Sequence, residues 1–230
     1  MGAKKNRSFN NPDRKHSFRE PNPNSYLIVT EGECTEPNYF KGLKQNILRT
    51  CGGRNIDVIA PTIQIKGRGR STTELIKETE KYLKKAGIEY QNVWLVFDKD
   101  EFKDFDEAIE EAEKKGFKVA WSNESFEYWI FLHFKNSTAI LSAKDLENKL
   151  KDIFKQKKIN GGKYDKNISN IYELIEEKGN VDFAIRNAKK GMDFHNAIYN
   201  EGKRKPSECN PGTMVYQLVE ELRRYIIPKD

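Results

Sequence analysis

Tyr26-Leu27-Ile28-Val29-Thr30 is a short, continuously apolar and β-favouring run, broken at once by Glu31-Gly32-Glu33. Such a run is too short for a buried helix. Its lack of polar alternation predicts a strand covered on both faces, which requires helices on either side of a sheet. Val93-Trp94-Leu95-Val96-Phe97 repeats the pattern and runs directly into Asp98-Lys99-Asp100, and Ile56 to Ile65 and Phe117 to Trp121 are two further strand candidates. Helical spacing separates them. Tyr39, Phe40, Leu43, Ile47 and Leu48 follow Pro37; Tyr82 and Leu83 follow Ser71 with Glu74, a capping-box signature; Phe105 to Lys115 is closed by Gly116. The alternation predicts an α/β fold with a parallel sheet flanked by helices.

From about Ser142 onward the pattern predicts only helices. Ser142 with Asp145 caps one, Asn180 begins another, and Asn210 with Pro211 begins the last. The expected organisation is a disordered basic tail over 1–22, an α/β core over 23–138, and a helical extension over 139–230 packed on that core. The tail carries Lys4, Lys5, Arg7, Arg14, Lys15 and Arg19 against Asp13 and Glu20, four of the six net positive charges of the chain. That imbalance suits a polyanionic partner. No apolar run approaches the ~18 residues of a membrane helix and no apolar leader opens the sequence, so a cytoplasmic protein without membrane attachment is expected. Cys34, Cys51 and Cys209 match no zinc spacing and no disulfide framework.

In an open parallel sheet the ligand crevice lies beyond the carboxyl ends of the strands, which gathers Glu31, Asp98 and Asp100. Residues two apart in an extended segment point the same way, so Asp98 and Asp100 are expected to reach one region. Carboxylates so gathered suit a hard divalent cation, Mg²⁺ or Mn²⁺, more than a bare acidic loop. Lys66-Gly67-Arg68-Gly69-Arg70 before a capped helix is the phosphate-binding candidate, through Lys66, Arg68 and Arg70, with a solvated basic turn as its equal rival. It is not a Walker A loop. Glu127, between Phe126 and Trp129, is expected to face the crevice. His133 reads as a hydrogen-bonded core histidine, and Phe126, Trp129 and Phe134 as core. No serine or cysteine motif accompanies a histidine, which argues against a nucleophilic triad.

The run from Ile28 to Phe40, the Val96-Phe97-Asp98-Lys99-Asp100 run, Ser122-Asn123 with Phe126-Glu127 and Trp129, His133-Phe134, and Asn210-Pro211 with Thr213 and Val215 resemble the RloB-like proteins of bacteria and archaea. The likeness extends over nearly the whole chain after residue 20. It implies a Toprim-like Rossmannoid nucleolytic core and a phage-defence setting beside restriction systems, often with an ATPase encoded nearby. By resemblance to Toprim nucleases, Glu31, Asp98 and Asp100 would hold Mg²⁺ or Mn²⁺. Glu36 would match the second Glu of a Glu-Gly-x-x-x-Glu form, and Ser122 and Glu127 would serve a second metal. Lys163 and Lys166 are the candidates for the downstream lysine of those enzymes.

The function expected from this resemblance is metal-dependent phosphodiester hydrolysis of DNA or RNA. A non-catalytic nucleic-acid-binding or regulatory subunit of an ATPase complex is the alternative. A small-phosphate or nucleotidyl enzyme is a third.

Overall fold

The computed structural model of the chain describes residues 22–51, 56–59, 72–86, 89–100, 103–198 and 204–226. The basic tail through residue 21 and the Lys66, Arg68 and Arg70 candidates lie outside these residues. Four parallel strands, β1 (Asn22–Thr30), β2 (Ile56–Ile59), β3 (Tyr90–Asp98) and β4 (Lys118–Asn123), form the sheet in the order β2-β1-β3-β4. A two-residue antiparallel strand, β5 (Gly212–Thr213), adds to the free edge of β4. The helices α1 (Thr35–Cys51), α2 (Thr73–Ala86) and α3 (Phe105–Lys114) join the strands, and α4 (Glu127–Leu132) leaves β4. The fold is therefore α/β and Rossmann-like, as the alternation predicts.

The unbroken apolar strands are explained by two cores. One face of the sheet carries Ile28, Trp94, Val96 and Ala120, packed with Tyr39, Phe40, Leu43 and Ile47 of α1 and with α4. The other carries Leu27, Val29, Leu95, Phe97 and Trp121, packed with α2 and α3. Since successive strand residues face opposite ways, both registers must be apolar. The helices α5 (Ala143–Lys157), α6 (Ile171–Lys178), α7 (Val181–Ile198) and α8 (Val215–Arg223) join the first core through Leu146, Leu150, Ile171, Ala184 and Leu218.

Local signals hold at several helix starts. The capping box of α5 is present: Asp145 N donates to Ser142 Oγ at 3.2 Å and Ser142 N to Asp145 Oδ2 at 3.0 Å. Ahead of α7, Phe183 N donates to Asn180 Oδ1 at 2.8 Å. The last stretch departs from expectation. Asn210-Pro211 does not begin a helix, and the chain beyond Ser142 is not wholly helical, because Gly212–Thr213 first pairs with β4 and α8 starts only at Val215. The reason lies in Thr213, whose hydroxyl shares a bond with Ser122 Oγ at 3.0 Å, donates to Trp121 O at 3.2 Å and accepts from Val215 N at 3.2 Å. These bonds satisfy the end of β4, which runs two residues past Trp121. The helix α6 carries no marked start in the sequence and is held by tertiary burial of Ile171, Tyr172 and Ile175.

Among the described residues no helix is long and apolar enough to cross a membrane.

Candidate functional site

The strand β1 lies between β2 and β3, so the connection after β1 turns one way and β3 takes up the other side. That reversal opens a crevice beyond the carboxyl ends of β1 and β3. The sequence places acids there. Glu31 N donates to Val96 O at 2.9 Å, which continues the β1–β3 ladder one residue, and Asp98 N donates to Glu31 Oε2 at 3.3 Å. Asp98 in turn accepts from Phe126 N at 3.0 Å through Oδ2, so the last residue of β3 is tied to the turn between β4 and α4. Its other oxygen, Oδ1, is shut off from solvent and has no hydrogen-bond partner among the described residues.

Glu36 and Glu127 complete the cluster. Glu36, on the first turn of α1, is buried, and its carboxylate lies over the α-carbon of Gly32, where a Cβ would collide with it. Gly32 is thus the clearance for Glu36. Glu127 is buried at the start of α4 and aims inward; Tyr164 donates to its Oε1 at 3.1 Å, and Lys166 Nζ stands 3.3 Å from the same oxygen. The segment that carries Tyr164 and Lys166 is fastened to the start of α1, since Thr35 Oγ1 donates to Lys166 O at 3.0 Å and Asn38 Nδ2 to Ile168 O at 3.2 Å.

Burial and crowding push Glu31, Glu36 and Asp98 toward their protonated forms. Burial first, then the Glu36 and Asp100 charges, raise Glu31 to about 7 against the pull of the Asp98 amide. Burial, then Glu127, likewise raises Glu36 to about 7. Asp98 is driven well above the carboxylate range by burial and then by Glu36 and Glu127. Lys166 is raised, because the attraction of Glu127, Asp98 and Glu36 outweighs the burial that would lower it. The cluster therefore has more negative charge than Lys166 neutralises, a condition that protons or a bound cation relieve.

The remaining candidates are placed differently. Asp100 is exposed and stands at φ 37°, with its amide on Glu124 O at 3.3 Å, so the extended backbone that would align it with Asp98 is not maintained. The pairing of Lys99 N with Ser122 O at 2.9 Å and of Asp100 N with Glu124 O twists the chain out of the strand. Asp100 still lies near enough to raise Glu31. Ser122 is level with Asp98 in the β3–β4 register, but its hydroxyl is engaged by Thr213. Lys163 is exposed and, among the described residues, is in no ion pair with the carboxylates. His133 is a core residue: Nδ1 is 2.9 Å from Trp129 O, and burial lowers its pKa to about 4.

Tyr164 carries no signal in the sequence, and nothing local marks Thr35 or Asn38 as the residues that fasten its loop. Thr35 and Lys166 meet across a separation of 131 residues, which no local pattern discloses.

The donor set fits a hard dication in kind, being all oxygen, clustered, and including the unpartnered Asp98 Oδ1. As the side chains stand, no three of the described His, Cys, Asp or Glu residues close on one metal position. Glu31 Oε2 is held by the Asp98 amide, and Glu127 Oε1 by Tyr164 and Lys166. Rotation of carboxylates would be needed to bring three together.

The clearance at Gly32 yields an expected result. Gly32→Ala forces the buried Glu36 carboxylate aside and should destabilise the fold by about 1 to 3 kcal/mol, the usual cost of overpacking. Adding Glu36→Ala should recover much of that loss, a coupling above ~0.5 kcal/mol in a double-mutant cycle of thermal melts. Additive losses would mean that Glu36 does not fill that space.

The family model described as RloB-like protein matches residues 26–222. Neither the curated proteins nor the solved structures give a match.

Proposed function

The chain belongs to the RloB-like protein family, and on that footing we propose that it is a Mg²⁺- or Mn²⁺-dependent nuclease with a Toprim-like core. It would hydrolyse phosphodiester bonds of DNA or RNA in defence against phage, together with an ATPase partner. The observation that carries this reading is Asp98 Oδ1, a buried carboxylate oxygen without a partner, set among Glu31, Glu36 and Glu127 at the switch point of the sheet.

Glu31, Asp98 and Asp100 would hold a metal ion, and Glu36 and Glu127 would hold a second. Bound there, the metal would lower the pKa of an attacking water and stabilise charge on the phosphate and leaving oxygen. The chain's own groups have separate tasks. If only one metal binds, Glu31, raised to about 7 in the metal-free protein, would instead serve as general base. Lys166 lies half in solvent and half on Glu127, which places its ammonium where a phosphate entering the crevice would meet it. Tyr164 fixes the Glu127 carboxylate through its hydroxyl. Phe126 N holds Asp98 Oδ2, which leaves the buried Oδ1 without a partner among the described residues.

The second reading, a nucleic-acid-binding or regulatory subunit without its own chemistry, draws on the carboxylates' failure to converge at rest. One experiment separates the two. Labelled DNA and RNA are incubated with the protein and the ATPase partner in Mn²⁺ or in chelator. Cleavage dependent on the metal is expected; binding without cleavage under every condition would favour the subunit.

A further inference from the structure

We propose that the C-terminal end of α5 and the turn after it form a docking surface for the phosphodiester backbone of nucleic acid, leading to the carboxylate cluster. Lys155, Lys157, Lys158, Lys163 and Lys166 face Asp165 alone over residues 155–166, five charges minus one. The first part of α5 is balanced: Lys144, Lys149 and Lys151 oppose Asp145, Glu147 and Asp152, and Lys151 pairs with Glu147. The excess therefore sits at the end nearest the candidate site.

Lys155, Lys157, Lys158 and Lys163 are exposed, and none is in an ion pair among the described residues. Lysines in a last helical turn offset the helix dipole, which accounts for Lys155 and Lys157. It does not account for Lys158, which ends the helix at φ 54°, or for Lys163, which lies beyond it. The backbone between them is fixed. Ile159 and Tyr164 are buried, and Asn160, Gly161 and Gly162 take left-handed φ of 48°, 64° and 81°, so the chain reverses tightly and turns its lysines outward. Lys163 is followed directly by Tyr164, and Lys166 reaches Glu127.

Lysines without acidic partners on a helix end and the fixed turn after it repel one another until a polyanion covers them, Lys157 having the Phe134 ring at 5.8 Å beside it. The occupant with charge at the required density, and with a bond to be broken at the end of the track, is a nucleic-acid backbone. That role rests on the proposed nuclease function, but the binding does not.

The test compares two quadruple variants of equal charge. One is Lys155→Gln, Lys157→Gln, Lys158→Gln and Lys163→Gln. The other is Lys77→Gln, Lys81→Gln, Lys84→Gln and Lys85→Gln on α2, which packs on the opposite face of the sheet. Affinity for a fluorescent oligodeoxynucleotide and its RNA counterpart is measured in chelator against salt. At ~0.7 to 0.9 per phosphate contact, the slope of log affinity on log salt should shrink by about 3 for the first variant and stay unchanged for the second. Lys163→Glu alone, outside any helix, should weaken binding several-fold without a fall in melting temperature.

An unchanged slope in the first variant, an equal loss in the α2 variant, or a wild type that binds anionic vesicles and not the oligomers would overturn the surface. A wild type that binds with the expected slope yet never cleaves in Mn²⁺ overturns the nuclease reading and leaves the surface standing.

Discussion

Asp98→Asn is expected to remove metal-dependent cleavage, by at least ~100-fold or ~2.7 kcal/mol of barrier, while the protein stays folded. The amide keeps an oxygen for the Phe126 amide, so the link between β3 and α4 survives. Its nitrogen then takes the position of the unpartnered Oδ1 and can donate to the acids that now repel Asp98, chiefly Glu36 and Glu127. The metal-free variant should accordingly melt no lower than the parent. What it loses is the response to metal. A cation that binds only the folded parent stabilises it by about 2.7 kcal/mol at a hundred times its dissociation constant, and that rise should nearly vanish in Asp98→Asn. Full cleavage by the variant, or a parental rise in melting temperature on adding Mn²⁺, would remove Asp98 from the site.

The parts of this site that the sequence discloses are those made by strand ends. An apolar strand covered on both faces has to stop where the chain becomes polar, so the acids at Glu31 and Asp98 announce both the strand and the crevice. Glu127 is legible for a related reason, being an acid in an otherwise apolar helix where solvation alone would not place it, whereas Glu36 is reached only through the family resemblance. The direction of Asp100 is not legible, because the argument of alternate residues assumes extended backbone, and hydrogen bonds from a neighbouring loop impose another conformation. The strand at Gly212–Thr213 is hidden behind Asn210-Pro211 for a similar reason, since the hydroxyl of Thr213 finds its partners on β4, far away in the chain. Tyr164 was beyond reach altogether. Its pattern is that of a polar glycine loop, and only the fastening of that loop to Thr35 and Asn38 brings it to Glu127. Local pattern records what a residue does for its own element; this loop works for another one.

The same carboxylates should leave their mark on stability against pH. Glu31 and Glu36, raised from 4.5 to about 7, retain protons in the folded state that the unfolded chain has released. Their stabilising contribution is complete below about pH 4.5 and is lost as pH rises through 7. His133 acts in the opposite sense: lowered from 6.5 to about 4, it costs stability on acidification between those values, when the unfolded chain takes up a proton that the folded core refuses. Below pH 6.5 the two effects oppose each other. Above it the unfolded His133 sheds its remaining charge within about one pH unit, so its opposing effect fades and the carboxylates dominate from about pH 7 to 8. Near pH 7 each retains about half a proton, so metal-free stability should fall by roughly 1.4 kcal/mol per pH unit, or a few degrees in melting temperature. Glu36→Gln should reduce that slope. Saturating Mn²⁺ should abolish or invert it, because the ionised carboxylates are the ones that bind and metal affinity rises as protons leave. A metal-free melting curve that is level across this interval would mean that Glu31 and Glu36 are ionised well below pH 6.5, and that the cluster is not short of positive charge.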